Sequence, residues 1–165
     1  MKKLVAILLF SVVSFSQTKN TSLNQQLKEM NNVFFKGDYN KFLKYTYPKV
    51  VEMMGGNENF IKITTEKMKM LKNDGFNLIN IIYKNPSNFF TKDNELQCTL
   101  IQEILIDTPK GRVLAEYTLI AISVDGGNNW TFLDTSGKSK SEMLRFFPNL
   151  SSDLIIVDKT QKFIN

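Results

Sequence analysis

The pattern of apolar residues changes from helical to strand-like near residue 76, and this change constrains the fold more than any other feature of the sequence. Before it, Leu23, Leu27, Met30 and Phe34 recur at the spacing of a helix that buries one face, and two further helical segments follow. After it, apolar runs alternate with short turns, as in a meander of antiparallel strands. The sequence therefore predicts an α+β domain whose N-terminal helices pack on one face of a curved antiparallel sheet of about four to six strands.

Local signals place the ends of several elements. Asp38 is expected to cap the second helix, and Ser139 with Glu142 forms an S-x-x-E capping box for a short helix late in the chain. Asp93 and Asn94 tolerate positive φ angles, which predicts a two-residue turn between two strands.

The chain begins with the three parts of a secretory signal peptide. Two lysines precede an apolar stretch over residues 4–13, and Ser14 and Ser16 are small residues suited to a cleavage before Gln17. The apolar stretch is shorter than the roughly 20 residues of a membrane span. We therefore expect residues 1–16 to be removed and the mature protein to be exported to the periplasm or the cell exterior, without a stable membrane span.

The remaining residues, 17–165, suffice for one domain with a single core, and a tail from Ser151 to Asn165 has no defined role in the pattern. The whole chain has a formal net charge of +5, and the loss of two lysines with the signal peptide lowers it. The other lysines are spread over the predicted helices and are not clustered beside aromatic residues. A solvated surface explains this distribution, and no nucleic-acid partner is expected.

Composition excludes several kinds of catalytic site. The chain contains no histidine, which excludes Ser-His-Asp and Cys-His catalysis and every zinc site that needs a histidine. Its single cysteine, Cys98, alternates with apolar residues, so we expect a buried thiol and not a reactive one. The sequence also lacks a metal-ligand cluster and a phosphate-binding loop, and no cofactor is expected.

Residues 123–130 read SVDGGNNW and resemble the Asp-box, S-x-D-x-G-x-x-W, which recurs along the blades of sialidase-type propellers. The chain is too short for several blades and shows no repeat at a propeller period. Asp125 to Asn128 tolerate positive φ angles and join two apolar runs, which is typical of a tight hairpin. We therefore predict a structural hairpin with Trp130 packed beneath it, and not a sugar-binding site.

The order of the predicted elements and the run GDYNKFLKYTYPKVVEMMGG, residues 37–56, resemble the nuclear transport factor 2-like superfamily. In this run a glycine-bounded pair of helices precedes the sheet, as in many small secreted bacterial members. The resemblance covers Leu23 to Phe147 and implies a cone-shaped domain, the fold shared with ketosteroid isomerases and polyketide cyclases. The tyrosine and aspartate pair of the isomerases has no position here that matches by motif, so their activity is not carried over.

The turn Thr-Pro-Lys-Gly that begins at Thr108 predicts how the two longest strands pair. Proline at its second position and glycine at its fourth favour a type I turn followed by a glycine bulge, which pairs Thr108 with Arg112. Glu103 then faces Tyr117. A turn with two loop residues would instead place Glu103 opposite Glu116, and a like-charge pair is unfavourable there. We therefore predict the bulged register.

Under this register the bulkier face of the two strands is assigned to the helices. It consists of Cys98, Leu100, Gln102, Ile104, Ile106, Leu114, Glu116, Thr118, Ile120, Ile122 and Val124. The other face is expected to be concave and to bind a ligand, and its predicted lining residues are Ile101, Glu103, Leu105, Tyr117 and Leu119. Because most of these are apolar, the expected occupant is an apolar small molecule or a segment of a partner protein. A homodimer through the sheet is the alternative partner.

Two hypotheses of different classes follow for function. The first is a non-catalytic binding or interaction module of the bacterial cell envelope. The second is a lyase or isomerase of the ketosteroid isomerase or polyketide cyclase type, with Glu103 as a general base of raised pKa and Tyr117 as hydrogen-bond donor. As an alternative, Glu103 lies near an exposed strand end or pairs with a lysine. Asp134 is a weaker candidate for the same role of general base.

Overall fold

The computed structural model describes residues 4–164, with side chains described over residues 20–164. The predicted signal peptide, residues 1–16, and its cleavage site before Gln17 therefore lie outside the residues whose side chains are described. Within the described part, no helix is both long and apolar enough to cross a membrane.

The chain forms helices first and strands second, as the change in pattern predicts. The helical half contains α1 (Leu4–Phe35), α2 (Tyr39–Phe42), a 3-10 turn (Leu43–Tyr45), α3 (Pro48–Met53) and α4 (Asn57–Asn73). The second half contains β1 (Asn77–Lys84), β2 (Phe90–Lys92), β3 (Glu95–Thr108), β4 (Gly111–Ser123), β5 (Thr131–Asp134), α5 (Lys140–Phe146) and β6 (Thr160–Ile164).

The predicted local signals act where the sequence places them. The Asp38 carboxylate accepts a hydrogen bond from a backbone N–H in α2, and Ser139 and Glu142 form both hydrogen bonds of the capping box at α5. Asp93 and Asn94 have φ angles of 50° and 63° and connect β2 to β3. These predictions are confirmed. The sequence suffices for them because each depends on only a few neighbouring residues.

All strand pairs of the sheet are antiparallel, and the order of its main strands is β1-β3-β4-β5. β2 pairs with β3 on the side of β1, and β6 pairs with β4 on the side of β5. The protein is thus an α+β domain with a six-stranded antiparallel sheet. β6 was not predicted: it lies in the tail after Ser151 and pairs with residues 112–116 of β4.

Different parts of the chain cover the two faces of the sheet. On one face, which we call the helix face, α1 and the segment after α2 pack against the central strands at Cys98, Leu100, Leu119 and Ala121. On the opposite face, which we call the outer face, α5 and the residues after it pack against Ile120 and Ile122. α1 and α2 therefore lie on one face, as predicted. α5 adds a second core on the other face, and Tyr47 and Val50, at the start of α3, pack with that second core.

The register of β3 and β4 differs from the predicted one. Thr108 pairs with Gly111 and not with Arg112, so the turn has two loop residues and no bulge. The Thr108 hydroxyl closes the turn by donating to the Gly111 carbonyl at 2.7 Å and accepting from the Lys110 N–H at 3.2 Å. As a result the even-numbered residues of β4 from 114 to 122 lie on the outer face, although the prediction assigned them to the helices.

The register prediction was wrong because cations from two other strands compensate the like-charge pair that it sought to avoid. Glu103 does face Glu116, and not Tyr117. Lys84 on β1 donates to the Glu103 carboxylate, and the positive charge of Lys162 on β6 acts on the same carboxylate. Lys84 and Lys162 therefore offset the repulsion between the two carboxylates.

Candidate functional site

The five residues predicted to line one ligand face lie on two different faces. Ile101, Glu103 and Leu105 lie on the outer face, whereas Tyr117 and Leu119 lie on the helix face. The prediction that they share one surface is wrong, because a one-residue shift in register turns every β4 side chain to the opposite face of the sheet.

Glu103 is an ion-pair residue of the outer face. Lys84 Nζ donates to Glu103 Oε2 at 2.5 Å. This hydrogen bond and the charge of Lys84 hold the pKa of Glu103 below its ordinary value. The raised pKa expected of a general base is therefore wrong, and the alternative of a lysine partner is confirmed. Tyr117 lies on the opposite face, so the two residues do not form an acid and donor pair.

A pocket of about 280 Å³ lies between the N-terminal helices and the helix face, and we call it the helix–sheet pocket. Its apolar and aromatic lining consists of Met30, Phe34, Phe42, Tyr45, Val50, Phe60, Ile81, Ile104, Leu119 and Phe132. Its polar lining consists of Asn31, Thr46, Tyr83, Gln102, Asp134 and Ser136. The volume is close to the lower end of the range of about 300–1,000 Å³ that is typical of small-molecule sites.

Aromatic contacts position the helices around this pocket. The ring centroid of Phe42 lies 5.0 Å from that of Phe34 and 6.3 Å from that of Phe60. These contacts join α1, α2 and α4 on the helix side of the pocket. Met30 and Phe34 are four residues apart in α1 and therefore lie on the same side of that helix.

A row of polar side chains, which we call the polar wall, crosses the sheet at the pocket. Tyr83 on β1 pairs with Gln102 on β3, and Gln102 pairs with Tyr117 on β4. The Tyr83 hydroxyl donates to Asn31 Oδ1 on α1 at 2.6 Å. Gln102 Nε2 and the Tyr117 hydroxyl donate to Asp134 Oδ2 at 3.0 Å and 3.3 Å. The polar wall therefore spans four strands, and Tyr83 joins its β1 end to α1.

Burial raises the pKa of Tyr83 and of Tyr117, and the negative charge of Asp134 raises both further. Both hydroxyls consequently stay protonated at neutral pH and remain hydrogen-bond donors. Asp134 also accepts from the backbone N–H of Ser136 at 2.5 Å and from its hydroxyl at 3.1 Å. Of the two acids considered from the sequence, Asp134 lines the pocket and Glu103 does not.

One hydroxyl in the pocket lining has no partner. Among the residues with described side chains, Thr46 Oγ1 is the only buried side-chain nitrogen or oxygen without a hydrogen bond. Leaving such a group unpaired costs about 1–3 kcal/mol. A polar group of a bound molecule that reaches Thr46 would remove this cost.

The Asp-box segment forms the predicted hairpin, which connects β4 to β5. The Asp125 carboxylate accepts from the Ser123 hydroxyl and from the Asn129 backbone N–H, each at 2.8 Å. Trp130 is 1% exposed, and its indole N–H donates to the hydroxyl of Ser22 on α1 at 3.0 Å. The polar groups of the motif are thus used within the hairpin, and Trp130 attaches it to α1.

A larger groove of about 650 Å³ lies between α1 and this hairpin. Its aromatic lining residues, Tyr45, Tyr47 and Trp130, are all buried, so none of them offers an open ring face for stacking. The groove therefore gives no support to a sugar site at the Asp-box segment.

Three residues of the pocket, Asn31, Tyr83 and Gln102, were not considered as site residues from the sequence. Gln102 offers a usable signal in the sequence, because it is an amide within a largely apolar strand. The structure then shows that it is buried. Asn31 and Tyr83 offer no such signal, since their contact joins α1 to β1 across 52 positions of the chain.

Comparison with known proteins assigns no family to this chain. No family model, no curated protein and no solved structure matches it. Over residues 20–164, no group of three or more cysteine, aspartate or glutamate side chains is placed to hold a metal ion. The function must therefore be argued from the pocket itself.

Proposed function

We propose that this protein is an exported, non-catalytic binding module of the bacterial cell envelope that holds an apolar small molecule in the helix–sheet pocket. The observation that carries this proposal is the composition of the pocket, which has an extensive apolar and aromatic lining and polar groups concentrated in one wall. This is the usual composition of a small-molecule site. The export component rests on the charged, apolar and small-residue segments at the N-terminus.

The same proposal includes a cone-shaped fold of the nuclear transport factor 2-like kind. The order of the elements supports it, with a short helix pair ahead of α4 and a sheet that follows all of these helices. The position of the pocket, between the N-terminal helices and one sheet face, also supports it.

The expected affinity is modest. A ligand that buries roughly 300 Å² of apolar surface gains about 7 kcal/mol at about 25 cal/mol per Å², before the costs of association are subtracted. A dissociation constant in the micromolar range or weaker follows.

The test uses the neutral apolar dye Nile red and a variant that fills the pocket. Ile104 lines the pocket, whereas Ile82 lies on the outer face with 40% of its surface exposed. We expect Ile104→Trp to weaken dye binding at least about tenfold and the matched control Ile82→Trp to leave it unchanged. Val50→Phe, a second filling variant, keeps the test decisive if Ile104→Trp does not fold. Unchanged dye binding by a folded filling variant would overturn the proposal.

A lyase or isomerase is the second candidate, and the observation that favours it is the carboxylate of Asp134 in the pocket lining, with the Tyr117 hydroxyl 3.3 Å away. In this version Asp134 takes the role of general base that the sequence suggested for Glu103. Asp134→Asn should then abolish turnover and leave ligand affinity nearly intact. If the protein is a binding module, no turnover exists to be lost.

For the partner, we propose that a second copy of the chain covers the open part of the outer face. Ile101, Leu105 and Leu114 lie there with incomplete burial, beside the ion pair of Lys84 and Glu103. A patch that carries both signs of charge around apolar side chains can be complementary to its own two-fold copy. Light scattering should report a dimer that Leu105→Glu converts to a monomer. A monomeric unchanged protein at high concentration would exclude it.

A further inference from the structure

We infer that the ligand of the helix–sheet pocket has an apolar body and a head group that donates hydrogen bonds and is neutral or positively charged. This inference rests on the proposed binding function and adds the chemical class of the ligand. The pocket should accept an alcohol or an amine and discriminate against a carboxylate of the same length.

The hydroxyl donors of the polar wall are already committed to protein acceptors. The Tyr83 hydroxyl donates to Asn31, and the Tyr117 hydroxyl donates to Asp134. Two acceptors remain open. The Tyr83 oxygen keeps its lone pairs, and Gln102 Oε1, an accessible atom of a residue that is otherwise buried, accepts no hydrogen bond within the described side chains, while Nε2 of the same amide donates to Asp134. The wall therefore offers open acceptors, with which the donors of a ligand can pair.

The pocket lining carries negative charge and no positive charge. Asp134 is the only charged residue among the lining residues, which include no lysine and no arginine. Two lysines come near residues of the site without lining the pocket. Lys159 Nζ lies 5.9 Å from the ring centroid of Tyr117, and Lys44 Nζ lies 4.5 Å from that of Tyr45. An anionic head group would face Asp134 without a cation to pair with, whereas an ammonium group would be attracted to it.

The unpartnered hydroxyl of Thr46 agrees with a ligand that carries a polar group. Thr46 lies on the segment between the 3-10 turn and α3, and its hydroxyl can both donate and accept. It therefore fits a polar head group of any kind and leaves the discrimination between head groups to Asp134 and the open acceptors of the wall.

The experiment compares decanol, decylamine and decanoate as competitors of Nile red for the pocket at neutral pH. The three probes have alkyl chains of the same length and differ in head group. We expect the alcohol and the amine to displace the dye, and decanoate to need at least about ten times their concentration, which corresponds to about 1.4 kcal/mol. Asp134→Asn should reduce the preference for decylamine over decanoate at least about tenfold. Asp153→Asn, an exposed residue outside the pocket lining, makes the same change of charge and should leave the preference intact.

The outcomes separate the inference from the function on which it rests. Displacement by all three probes at equal concentration, or tighter binding of decanoate, would overturn the head-group inference and leave the pocket as a binding site. Failure of every probe, together with dye binding that does not respond to Ile104→Trp, would overturn both. The probe series on the unchanged protein remains decisive even if Asp134→Asn does not fold.

Discussion

Replacement of Trp130 by alanine should destabilise the fold strongly if the Asp-box segment is a structural hairpin. Trp130 is 1% exposed, its ring centroid lies 5.7 Å from that of Phe89, and its indole N–H donates to Ser22 at 3.0 Å and to the Gly127 carbonyl at 3.1 Å. Truncation of a buried tryptophan to alanine costs about 3–5 kcal/mol. Trp130→Phe keeps a ring against Phe89 and loses the N–H bonds, so its cost should be smaller, about 1–3 kcal/mol.

Circular dichroism during urea unfolding is the appropriate assay, because Trp130 is the single tryptophan of the chain and its removal eliminates the intrinsic tryptophan signal. Val124→Ala provides the control, since Val124 belongs to the same hairpin and is 76% exposed. Its effect should stay within about 0.5 kcal/mol. A loss of less than about 1 kcal/mol for Trp130→Ala would refute the structural role. Strong binding on a glycan array that disappears in Trp130→Ala, with stability unchanged, would show instead that the segment is a sugar site.

Three further predictions concern chemistry, pH and processing. Burial raises the pKa of the Cys98 thiol to about 12, so we expect iodoacetamide to label Cys98 in denaturant and to leave the folded protein unlabelled. Lys84 lowers the pKa of Glu103 in the folded protein, so the pair stabilises the fold above the unfolded-state pKa of the carboxyl. This stability is lost as the pH falls through the folded-state pKa. Lys84→Met should raise the Glu103 pKa in an NMR titration and make the loss of stability in acid less steep. Intact-mass measurement of protein from the native envelope should give a chain cleaved between Ser16 and Gln17, and full-length protein alone would exclude a cleaved signal.

The elements that the sequence predicts well are those fixed by neighbouring residues. The Asp38 cap, the capping box of Ser139 and Glu142, and the turn at Asp93 and Asn94 each depend on side chains within three or four positions. The helices and strands follow in the same way from the period of their apolar residues. β6 lacks such a signal, since its residues are mostly exposed and it is held mainly by backbone pairing with β4.

The register of β3 and β4 could not be derived from the two strands alone. Opposition of Glu103 and Glu116 is unfavourable for an isolated pair, and this reasoning favoured the bulge. The sheet places Lys84 and Lys162 beside the pair from strands that are distant in sequence, and their positive charges offset the repulsion between the two carboxylates. A cross-strand pair must therefore be judged with the neighbours of both strands, and these are known only after the topology is known.

The register and the pocket are one problem, because the polar wall exists only in the register with two loop residues. In that register Gln102 faces Tyr117, and both reach the carboxylate of Asp134 on the helix face. In the bulged register Tyr117 would share a face with Glu103, and Gln102 would lie on the opposite side of the sheet. Asp134 would then lose one of its two donors from the central strands, and the pocket would lose the wall that gives it polarity. The turn at Thr108 lies several residues along the strands from Asp134, and yet it decides which side chains line the pocket.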